Sequence, residues 1–401
     1  MSLSEKMDIQ IPFNKPYLIG TELTYIQEAA KKGKLSGNGD FTQRCQQWME
    51  QTYGFTKCLL TTSGTDALEM AALILDIQPG DEIIVPSFTF VSSANAFALR
   101  GAKLVFVDSK PDFPGLDELA LESLISPRTR AILAVHYAGV ACDMEFLQRL
   151  CEQHHIYLIE DAAQALGGFY EEKALGRFGQ LAAFSFHETK NIHSGEGGML
   201  VINDPKLIAK AEVIWEKGTD RSAFFRGELD KYGWKSLGSS FLPSELTAAF
   251  LWAQLENSTQ IQQRRKAIWK DYYHFFSNSS HELQVLDSAY LAQIKDSLQA
   301  NMQSDQRFTI QTQEGNYHLF YLLLPSGQVR DVVIADLKRK GILSVFHYQS
   351  LHRSEFSQHH FPDQYLRYLP HSDHYSDCLL RLPLFYELPE LVKDYPFSTN
   401  G

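Results

Sequence analysis

The sequence has few cysteines and no cysteine motif. Its 401 residues include five, at Cys45, Cys58, Cys142, Cys151 and Cys378, and no two of them form a Cys-x-x-Cys pair. An odd, scattered set argues against a disulfide scaffold or a thiolate zinc site and favours a reducing compartment. No other metal site is expected, because the adjacent histidines at 154/155 and 359/360 cannot share one helix face.

Long apolar runs are also missing from the sequence. No stretch reaches the roughly 20 apolar residues that cross a bilayer, and the opening MSLSEKMDIQ carries charges with no apolar run behind them. We therefore expect a cytoplasmic protein with no membrane partner. A hydrophobic fraction of 44% and a charged fraction of 21% exclude a wholly disordered or fibrous chain.

Basic side chains are in deficit: 37 stand against 48 acidic ones, for a net charge of −11. Such a surface repels phosphate backbones, which disfavours general binding of nucleic acid but allows a small anion in a local pocket. Residues 216–227 place Lys217, Arg221 and Arg226 between aromatic residues. This cluster is either a binding site for the diphosphate of a nucleotide substrate or a solvated loop.

Short apolar runs alternate with helical patterns along the first two thirds of the chain. The runs, which are candidate strands, lie at 57–63, 81–88, 103–109, 130–139, 156–163, 181–187 and 197–204. They show little polar alternation, which is typical of strands buried on both faces. Their βαβ order predicts a layered α/β domain over residues 1–255.

The pattern changes near residue 256. Residues 246–276 predict one long amphipathic helix, or two with a break near Asn257-Ser258. A strand, a helix and a strand are predicted at 317–325, 329–342 and 343–349, and the polar, His-rich segment 350–378 is predicted to loop over a site or a partner. We expect a smaller C-terminal α+β domain over residues 256–401.

Neither of the two commonest nucleotide-binding signatures, Gly-x-Gly-x-x-Gly and the Gly-Lys-Ser/Thr phosphate loop, is present. Instead, TTSGTDALEM (61–70) ends a strand, turns at Ser63-Gly64-Thr65 and begins a helix. The free amides and the dipole of a helix start form a seat for phosphate. The alternative is that Ser63 or Thr65 only caps the helix.

Two later strand ends carry ionisable side chains. IYLIEDAAQA (156–165) runs into Asp161, at the end of a strand where open α/β sheets bind ligands, or else Asp161 caps the next helix. Lys190 lies in a Gly-flanked loop one strand later, where a solvated surface lysine is the alternative. A lysine for a Schiff base, a carboxylate for a pyridine nitrogen and a phosphate seat together suit pyridoxal 5′-phosphate (PLP).

Six motifs in order, SGTDALEM, PSFTFVSSANA, VHYAG, EDAAQA, FSFHETKN and GEGG, resemble the DegT/DnrJ/EryC1/StrS family of PLP-dependent sugar aminotransferases. The resemblance covers residues 11–391. It implies PLP fold type I, with a large α/β/α domain of mostly parallel sheet and a smaller C-terminal α+β domain. It also implies a homodimer with the active site at its interface, L-glutamate as amino donor and a dTDP-linked 4-keto-6-deoxyhexose as acceptor.

The resemblance assigns catalytic and cofactor-binding roles to single residues. Lys190 would be the Schiff-base lysine and proton shuttle, and Asp161 would pair with the pyridinium nitrogen. Gln164 would lie near the 3′ oxygen of the cofactor, and Phe90 would stack on its ring unless Phe90 is a core residue.

Further roles concern the phosphate and the substrate. Gly64, Thr65 and Ser185 would contact the phosphate, although Ser185 is otherwise an ordinary small residue of a buried strand. His187 would line the site or be a structural histidine, and His347 would lie near the sugar.

Two departures from the family pattern stand out. Leu242 occupies the position of an asparagine that, in relatives, reaches the phosphate of the partner subunit, so Ser239 or Ser240 would have to replace it. The segment 347–352 lacks the usual proline, which predicts a more flexible substrate loop. Two other functions remain open: a sugar dehydratase of the same fold, which would carry histidine in place of Lys190, and a non-catalytic binding protein.

Overall fold

The computed structural model describes residues 9–277, 289–303 and 305–389. Its strands are β1 (Lys57–Thr61), β2 (Glu82–Pro86), β3 (Lys103–Val107), β4 (Thr129–Val135), β5 (Tyr157–Asp161), β6 (Phe169–Tyr170), β7 (Lys173–Ala174), β8 (Leu181–Ser185), β9 (Gly198–Ile202), β10 (Thr309–Ile310), β11 (Phe320–Leu323) and β12 (Leu379–Leu382).

The α-helices are α1 (Glu22–Lys32), α2 (Asp40–Tyr53), α3 (Gly64–Ile74), α4 (Val91–Ala98), α5 (Met144–His154), α6 (Ile208–Trp215), α7 (Arg221–Phe225), α8 (Glu245–Glu256), α9 (Ser258–Ser277), α10 (Ala289–Asn301), α11 (Gly327–Arg339), α12 (Glu355–His360), α13 (Pro362–Tyr365) and α14 (Pro370–Cys378). Short 3₁₀ turns lie at Glu118–Ala120, Glu122–Leu124, Tyr137–Gly139, Pro205–Leu207 and Leu351–Arg353. Across the described ranges, no helix is both long and apolar enough to span a bilayer.

Seven strands form the larger sheet, in the order β1-β9-β8-β5-β4-β2-β3. Neighbours from β8 to β3 pair in parallel, whereas β9 pairs antiparallel with both β1 and β8. The carboxyl ends of β1, β5 and β8 therefore lie at the same edge. Each of the seven apolar runs between residues 57 and 204 overlaps one of these strands, which confirms the predicted mostly parallel sheet.

Both faces of this sheet are buried. Ile84 and Ile132 pack into a core that also holds residues of α2, α5 and α8, while Ile83 and Leu133 pack into a second core with residues of α3, α4 and α6. Successive side chains of a strand point to opposite faces of the sheet. Because both faces are buried here, consecutive residues of a strand all need apolar side chains. This explains why the strand segments show no polar alternation.

The C-terminal part of the chain adds its own sheet and core. Strands β10, β11 and β12 pair antiparallel, and they pack with α9, α10 and α11 around Trp269, Phe320 and Leu380. Helices α8 and α9 are separate, with the break at Asn257, as the second alternative predicted. This separate core supports the domain boundary between residues 255 and 256, which stays a prediction.

The predicted strand at 343–349 is wrong. Only Val345 forms a bridge there, with Arg381, and β12 takes the place of the expected third strand. The physical reason lies in two side chains that follow shortly after Val345. His347 and Tyr348 turn away from the sheet to line a cleft, so the backbone does not continue along the strand.

The predicted loop at 350–378 is also wrong, because this segment contains α12, α13 and α14. Although the segment is mostly polar, it contains three apolar residues that pack against the rest of the protein. Leu351, Phe361 and Leu369 pack on the second core of the larger sheet, and their burial gives short helices a surface on which to form.

The turn before α3 lies directly on two strands. A Cβ on Gly198, at the start of β9, would lie 2.2 Å from the carbonyl carbon of Ser63 and 2.4 Å from the amide nitrogen of Gly64. A Cβ on Gly64 would lie 2.9 Å from the Cβ of Ser185. Close approach of backbone to backbone, without intervening side chains, thus places the start of α3 against the end of β8.

We expect Gly198→Ala to push this turn outward and to lower the free energy of unfolding by about 1–3 kcal/mol, the usual cost of overpacking. Urea denaturation measures this change, and PLP retention after gel filtration reports whether the start of α3 has moved. Gly233→Ala is the matched control, since a Cβ on Gly233 meets no atom within 4 Å. Equal stability of the two variants would contradict the close-packing argument.

Candidate active site

A cleft of about 350 Å³ opens where β1, β5 and β8 end. Its first wall comes from the larger sheet and the adjoining loops and includes Ser63, Gly64, Thr65, Thr89, Phe90, Asp161, Gln164, Ser185, His187 and Lys190. Its second wall comes from the C-terminal part of the chain and carries His318, His347, Tyr348 and Arg381. The cleft therefore brings together every predicted cofactor residue and, from the predicted substrate residues, His347.

Asp161 ends β5 and is 6% exposed. Its Oδ2 accepts a hydrogen bond from the Ser93 hydroxyl at 2.5 Å, and its Oδ1 accepts one from the Ala163 amide at 3.1 Å. The second bond closes a turn rather than capping a helix. Thr89 in turn shares a hydrogen bond of 2.9 Å with Ser93. These contacts fix the orientation of a carboxylate that has no cationic partner within 4 Å among the described side chains.

Lys190 lies in the loop between β8 and β9, and its amine makes no hydrogen bond or ion pair within the described part of the chain. Burial lowers the pKa of Lys190 to about 8, while the Asp161 carboxylate raises it and the Arg381 guanidinium lowers it. A larger fraction of this amine is neutral near physiological pH than in an ordinary lysine. A neutral amine is the form that acts as a nucleophile or a base.

The start of α3 forms one corner of the cleft. Ser63 caps the helix, because its Oγ accepts a hydrogen bond from the Asp66 amide at 3.0 Å, as the capping alternative predicted. Capping does not exclude the phosphate role, since the amides of Gly64 and Thr65 precede the first intrahelical bond. Together with the helix dipole they favour an anion at this corner, next to Ser185.

Gln164 connects the two walls of the cleft. Its Oε1 accepts a hydrogen bond from the Ala138 amide at 2.7 Å, and its Nε2 donates one to the Tyr348 hydroxyl at 2.7 Å. The Phe90 side chain is 54% exposed, so it is not a core residue, and its ring lies 6.0 Å from that of Tyr348. Tyr348 thus contacts both Gln164 and Phe90, the two residues predicted to lie near the cofactor ring.

His347 reaches the cleft from the segment after α11. Its Nδ1 shares a hydrogen bond of 2.6 Å with the Tyr137 hydroxyl, and its ring stacks on Tyr348 with 3.6 Å between the ring centroids. Burial lowers the pKa of His347 well below its usual value, and the charge of Arg381 lowers it further. The imidazole is therefore neutral at physiological pH.

His187 also lines the cleft. Its Nδ1 shares a hydrogen bond of 2.9 Å with the Thr189 hydroxyl, and its Nε2 lies 3.6 Å from the Glu196 carboxylate. Its backbone amide donates to the Ser185 hydroxyl at 3.3 Å. His187 thus lines the cleft and is also held by hydrogen bonds, so it fits both alternatives, a residue of the site and a structural histidine.

The predicted basic cluster does not reach the cleft of its own chain. Lys217 and Arg221 lie 3.9 and 4.0 Å from the Glu216 carboxylate, and Arg226 pairs with Glu228 at 2.7 Å. Neighbouring carboxylates therefore offset most of this positive charge. The expectation that these residues bind a nucleotide diphosphate stays a prediction.

The segment that departs from the family pattern lies away from this cleft. Leu242 packs against the second core, and the preceding carbonyl of Phe241 accepts a hydrogen bond from the Thr62 amide at 3.0 Å. Ser239 and Ser240 are exposed. A contact from Ser239 or Ser240 to the cofactor of a partner subunit stays a prediction.

Four residues important to the cleft were not predicted, namely Ser93, His318, Tyr348 and Arg381. Arg381 had a visible signal, a charged residue inside the apolar run LLRLPLF. Tyr348 lay inside a segment predicted to be a strand. Ser93 and His318 gave no signal, because their importance depends on contacts with Asp161 and Asn191 that are distant in sequence.

A mostly parallel sheet with a lysine, a buried carboxylate and a helix start at one edge defines the class of PLP fold type I. The chain belongs to the DegT/DnrJ/EryC1/StrS aminotransferase family, whose model matches residues 16–392. Pyridoxal phosphate is the cofactor of this family.

Individual relatives agree with this assignment. The chain is 37% identical over 241 residues to GDP-perosamine synthase from Caulobacter vibrioides, an alignment that spans 60% of this chain and 63% of that protein. The structure resembles Helicobacter pylori PseC, an aminotransferase involved in the biosynthesis of pseudoaminic acid, with a TM-score of 0.79, 25% identity and 94% of each chain covered. It also resembles the aminotransferase TlmJ from Streptoalloteichus hindustanus, with a TM-score of 0.80, 25% identity and the same coverage.

The residues of the cleft fit this cofactor. Gly64 lets the helix start lie directly against Ser185, and the amides there offer donors to a phosphate. Lys190 has a free amine for the aldehyde, and Asp161 has an oriented carboxylate for the ring nitrogen. The expected contacts of each residue with the cofactor stay predictions.

We expect Asp161→Asn to lower the pKa of Lys190 below about 8, because the carboxylate stabilises the ammonium form. Competitive labelling of lysines in the PLP-free protein, read by mass spectrometry over a pH series, follows this titration. Labelling of Lys190 should reach half its maximum at a lower pH in the variant than in the wild type.

Lys110 is the internal reference for this measurement. Burial lowers its pKa, but the hydrogen bond and charge of Glu118, 2.8 Å away, together with further nearby negative charges, outweigh burial and raise the pKa overall. Its labelling profile should be the same in both proteins. An unchanged or higher midpoint for Lys190 in the variant would show that Asp161 does not act on the amine.

Proposed function

We propose that the protein is a PLP-dependent sugar aminotransferase. It transfers the amino group of L-glutamate to the 4-keto carbon of dTDP-4-keto-6-deoxyglucose and releases 2-oxoglutarate and dTDP-4-amino-4,6-dideoxygalactose. The observation that carries the proposal is the Lys190 amine, with a pKa of about 8, in one cleft with the oriented Asp161 carboxylate and the start of α3.

Each of these groups has a task in the proposed reaction. Bound PLP supplies an electron sink that makes the Cα proton of the donor acidic. Asp161, oriented by Ser93 and Ala163, holds the proton on the ring nitrogen. Lys190 takes the proton from the donor Cα, for which a pKa near the working pH is favourable.

The second wall shapes the cleft around the reacting atoms. Tyr348 is held by its hydrogen bond from Gln164 and by stacking with His347, and both rings line the cleft that contains Lys190. Neutral His347 offers a polar ring without adding charge. These side chains limit the entry of water, which would compete with transfer to the sugar.

The choice of sugar rests on sequence resemblance. The stretches FTQRCQQWMEQ, LEMAALILDIQPGDE, HYAGVACDM and LLRLPLFY resemble dTDP-4-amino-4,6-dideoxygalactose transaminase, which makes a sugar for enterobacterial surface polysaccharide. The relative named GDP-perosamine synthase supports an amino sugar as product and raises the question of the nucleotide. We propose dTDP as the nucleotide and a role in surface polysaccharide synthesis in the cytoplasm.

Two other functions are less well supported. A sugar dehydratase of this fold would carry histidine at the position of Lys190. A non-catalytic binding protein would have no need for an unpaired amine of lowered pKa facing Asp161, since burying such charges costs free energy.

A homodimer is part of the proposal. Trp234 is 80% exposed, Leu237 is 60% exposed and Phe225 is 64% exposed, and all three lie between α6 and α8. Large apolar side chains of this kind favour a covered surface. A second copy of the chain would also bring the segment around Leu242 into reach of another cleft.

We expect Lys190→Ala to lower amino transfer by at least about 10²–10⁴-fold, the range for loss of a general base. Turnover with L-glutamate and the keto sugar measures this loss, and circular dichroism checks the fold. In the wild type, borohydride should fix the cofactor on the peptide that contains Lys190. Lys31→Ala, at an exposed position, is the control. Full turnover in Lys190→Ala would refute the mechanism.

We expect the product to carry an axial amino group at C4, as in galactose. Incubating the PLP-loaded protein with L-glutamate and the dTDP-linked keto sugar, followed by proton NMR, gives the coupling between H3 and H4. A small coupling fits the axial product, and a large one identifies the equatorial isomer instead. A parallel reaction with the GDP-linked keto sugar should be slower if dTDP is the nucleotide.

A further inference from the structure

His318 is a buried histidine of the second wall with one ring nitrogen unused. Its side chain, just before β11, is 5% exposed and lines the cleft together with Lys190. Its Nδ1 lies 2.9 Å from the Oδ1 of Asn191, the residue that follows Lys190 in the chain. Its Nε2 makes no hydrogen bond within the described part of the chain. An unpaired polar atom in a buried side chain costs free energy, so the fold alone does not account for this nitrogen.

The contacts of Asn191 determine which nitrogen of His318 carries the proton. The Nδ2 of Asn191 donates to the Oε1 of Gln262 at 2.8 Å and to the backbone carbonyl of Asn316 at 2.9 Å. Because a carbonyl only accepts, this fixes the amide so that its Oδ1 faces His318. An amide oxygen has no proton to donate, so the proton of that bond belongs to Nδ1 of His318. In the neutral imidazole, Nε2 is then the acceptor.

Cations surround His318 and keep it neutral. Burial lowers the pKa of His318 well below its usual value, and the charges of Lys190, Arg265 and Arg381 lower it further. The Nε2 of His318 therefore keeps its lone pair at physiological pH and can only accept a hydrogen bond. Its partner must carry an N–H or O–H group, which excludes the carboxylates of the amino donor.

We infer that Nε2 of His318 accepts a hydrogen bond from the Lys190 amine once the amino donor has displaced that amine from the cofactor. This inference rests on the proposed function. Lys190 has N–H groups without an acceptor, His318 has an acceptor without a donor, and both line one cleft. The bond holds the amine in place while it takes the proton from the donor Cα, and the proton stays on Lys190. His318 is thus a positioning residue for Lys190.

The other donors near His318 fit less well. Arg381 leaves a strand that is paired on both sides, with β11 and with Val345, and its guanidinium does not bond to Nε2 here. Arg265 donates to the carbonyls of Tyr317 and His318, at 3.1 and 2.6 Å. Hydroxyl groups of the sugar can donate, but they enter only in the second half of the reaction. Measurements with L-glutamate alone therefore separate them from Lys190.

His193 is an internal reference with the same chemistry outside the cleft. It is 3% exposed, and its Nε2 donates to the Tyr17 carbonyl at 3.0 Å. Burial lowers the pKa of His193, and its Nδ1 is buried without a partner. His193 is thus a second neutral imidazole with a free acceptor nitrogen, but it does not line the cleft. Its free nitrogen reports a change of fold and not a movement of Lys190.

The first test follows both histidines by 15N NMR of the loaded protein. The acceptor nitrogen of a neutral imidazole moves upfield when it accepts a hydrogen bond. We expect the Nε2 signal of His318 to move upfield when the PLP-loaded protein is converted to the form that holds pyridoxamine phosphate, which frees Lys190. The Nδ1 signal of His193 should stay in place. In Lys190→Ala loaded with pyridoxamine phosphate, the His318 signal should lack this shift.

The second test is the single-turnover loss of visible absorbance after L-glutamate is added to the PLP-loaded protein. We expect His318→Leu to slow this step by about 10- to 100-fold, as for loss of a hydrogen bond to a charged group, with little change in the dissociation constant of L-glutamate. The isotope effect with α-deuterated glutamate should rise, because proton transfer by a poorly held amine becomes slower.

Two further variants complete the kinetic test. His318→Gln should restore part of the rate, because its amide oxygen can accept the same hydrogen bond. His360→Leu, at an exposed position, is the control and should react as the wild type does. Circular dichroism and the visible absorbance of bound PLP check that each variant is folded.

A His318 signal that stays in place when Lys190 is freed, or that moves equally in Lys190→Ala, would overturn the inference. Weaker binding of L-glutamate in His318→Leu with an unchanged isotope effect would also overturn it, since His318 would then contact the donor. A wild-type protein that shows no absorbance change with L-glutamate would instead refute the proposed function. The two failures are therefore distinguishable.

Discussion

The cleft holds charged groups away from water, and each lacks its usual partner. Among the described residues, Asp161 has hydroxyl and amide donors but no cation in contact, Lys190 has no acceptor, and Arg381 lies against the Phe13 ring without an ion pair. Burial is the main cause of the lowered pKa of Lys190, while the charge of Asp161 raises that pKa and the charge of Arg381 lowers it. A site with this much unsatisfied charge is unstable by itself, so rigid elements on both walls must hold it open.

Those rigid elements come from two different sheets. The larger sheet ends β5 and β8 at one edge, and the glycine contacts of the turn before α3 bring a third element against that edge. The C-terminal sheet supplies Arg381 from β12 and directs His347 and Tyr348 across the opening. Gln164 bonds to Tyr348 and so links the two parts. Asp161 and Lys190 on the first wall and Arg381 on the second are thus held by two different sheets.

The sequence predicts the first wall of the cleft better than the second. The strands of the larger sheet follow from apolar runs, and Asp161 and Lys190 follow from strand ends and ordered motifs, because the signals are local. The second wall depends on long-range pairing. Residues 343–349 looked like a strand because they are apolar, yet β12 is paired instead. The polar composition of 350–378 concealed three packing residues, and the position of Arg381 at the cleft depends on the pairing of β12 with β11.

The two walls of the cleft lie far apart in the sequence, so the ribosome synthesises them at different times. A ribosome delivers the phosphate corner and Lys190 long before β12, and N-terminal parts of a chain generally begin to fold first. Addition of β12 then brings Arg381 to the cleft, where its charge helps to lower the pKa of Lys190, so the state of this amine depends on both parts of the chain.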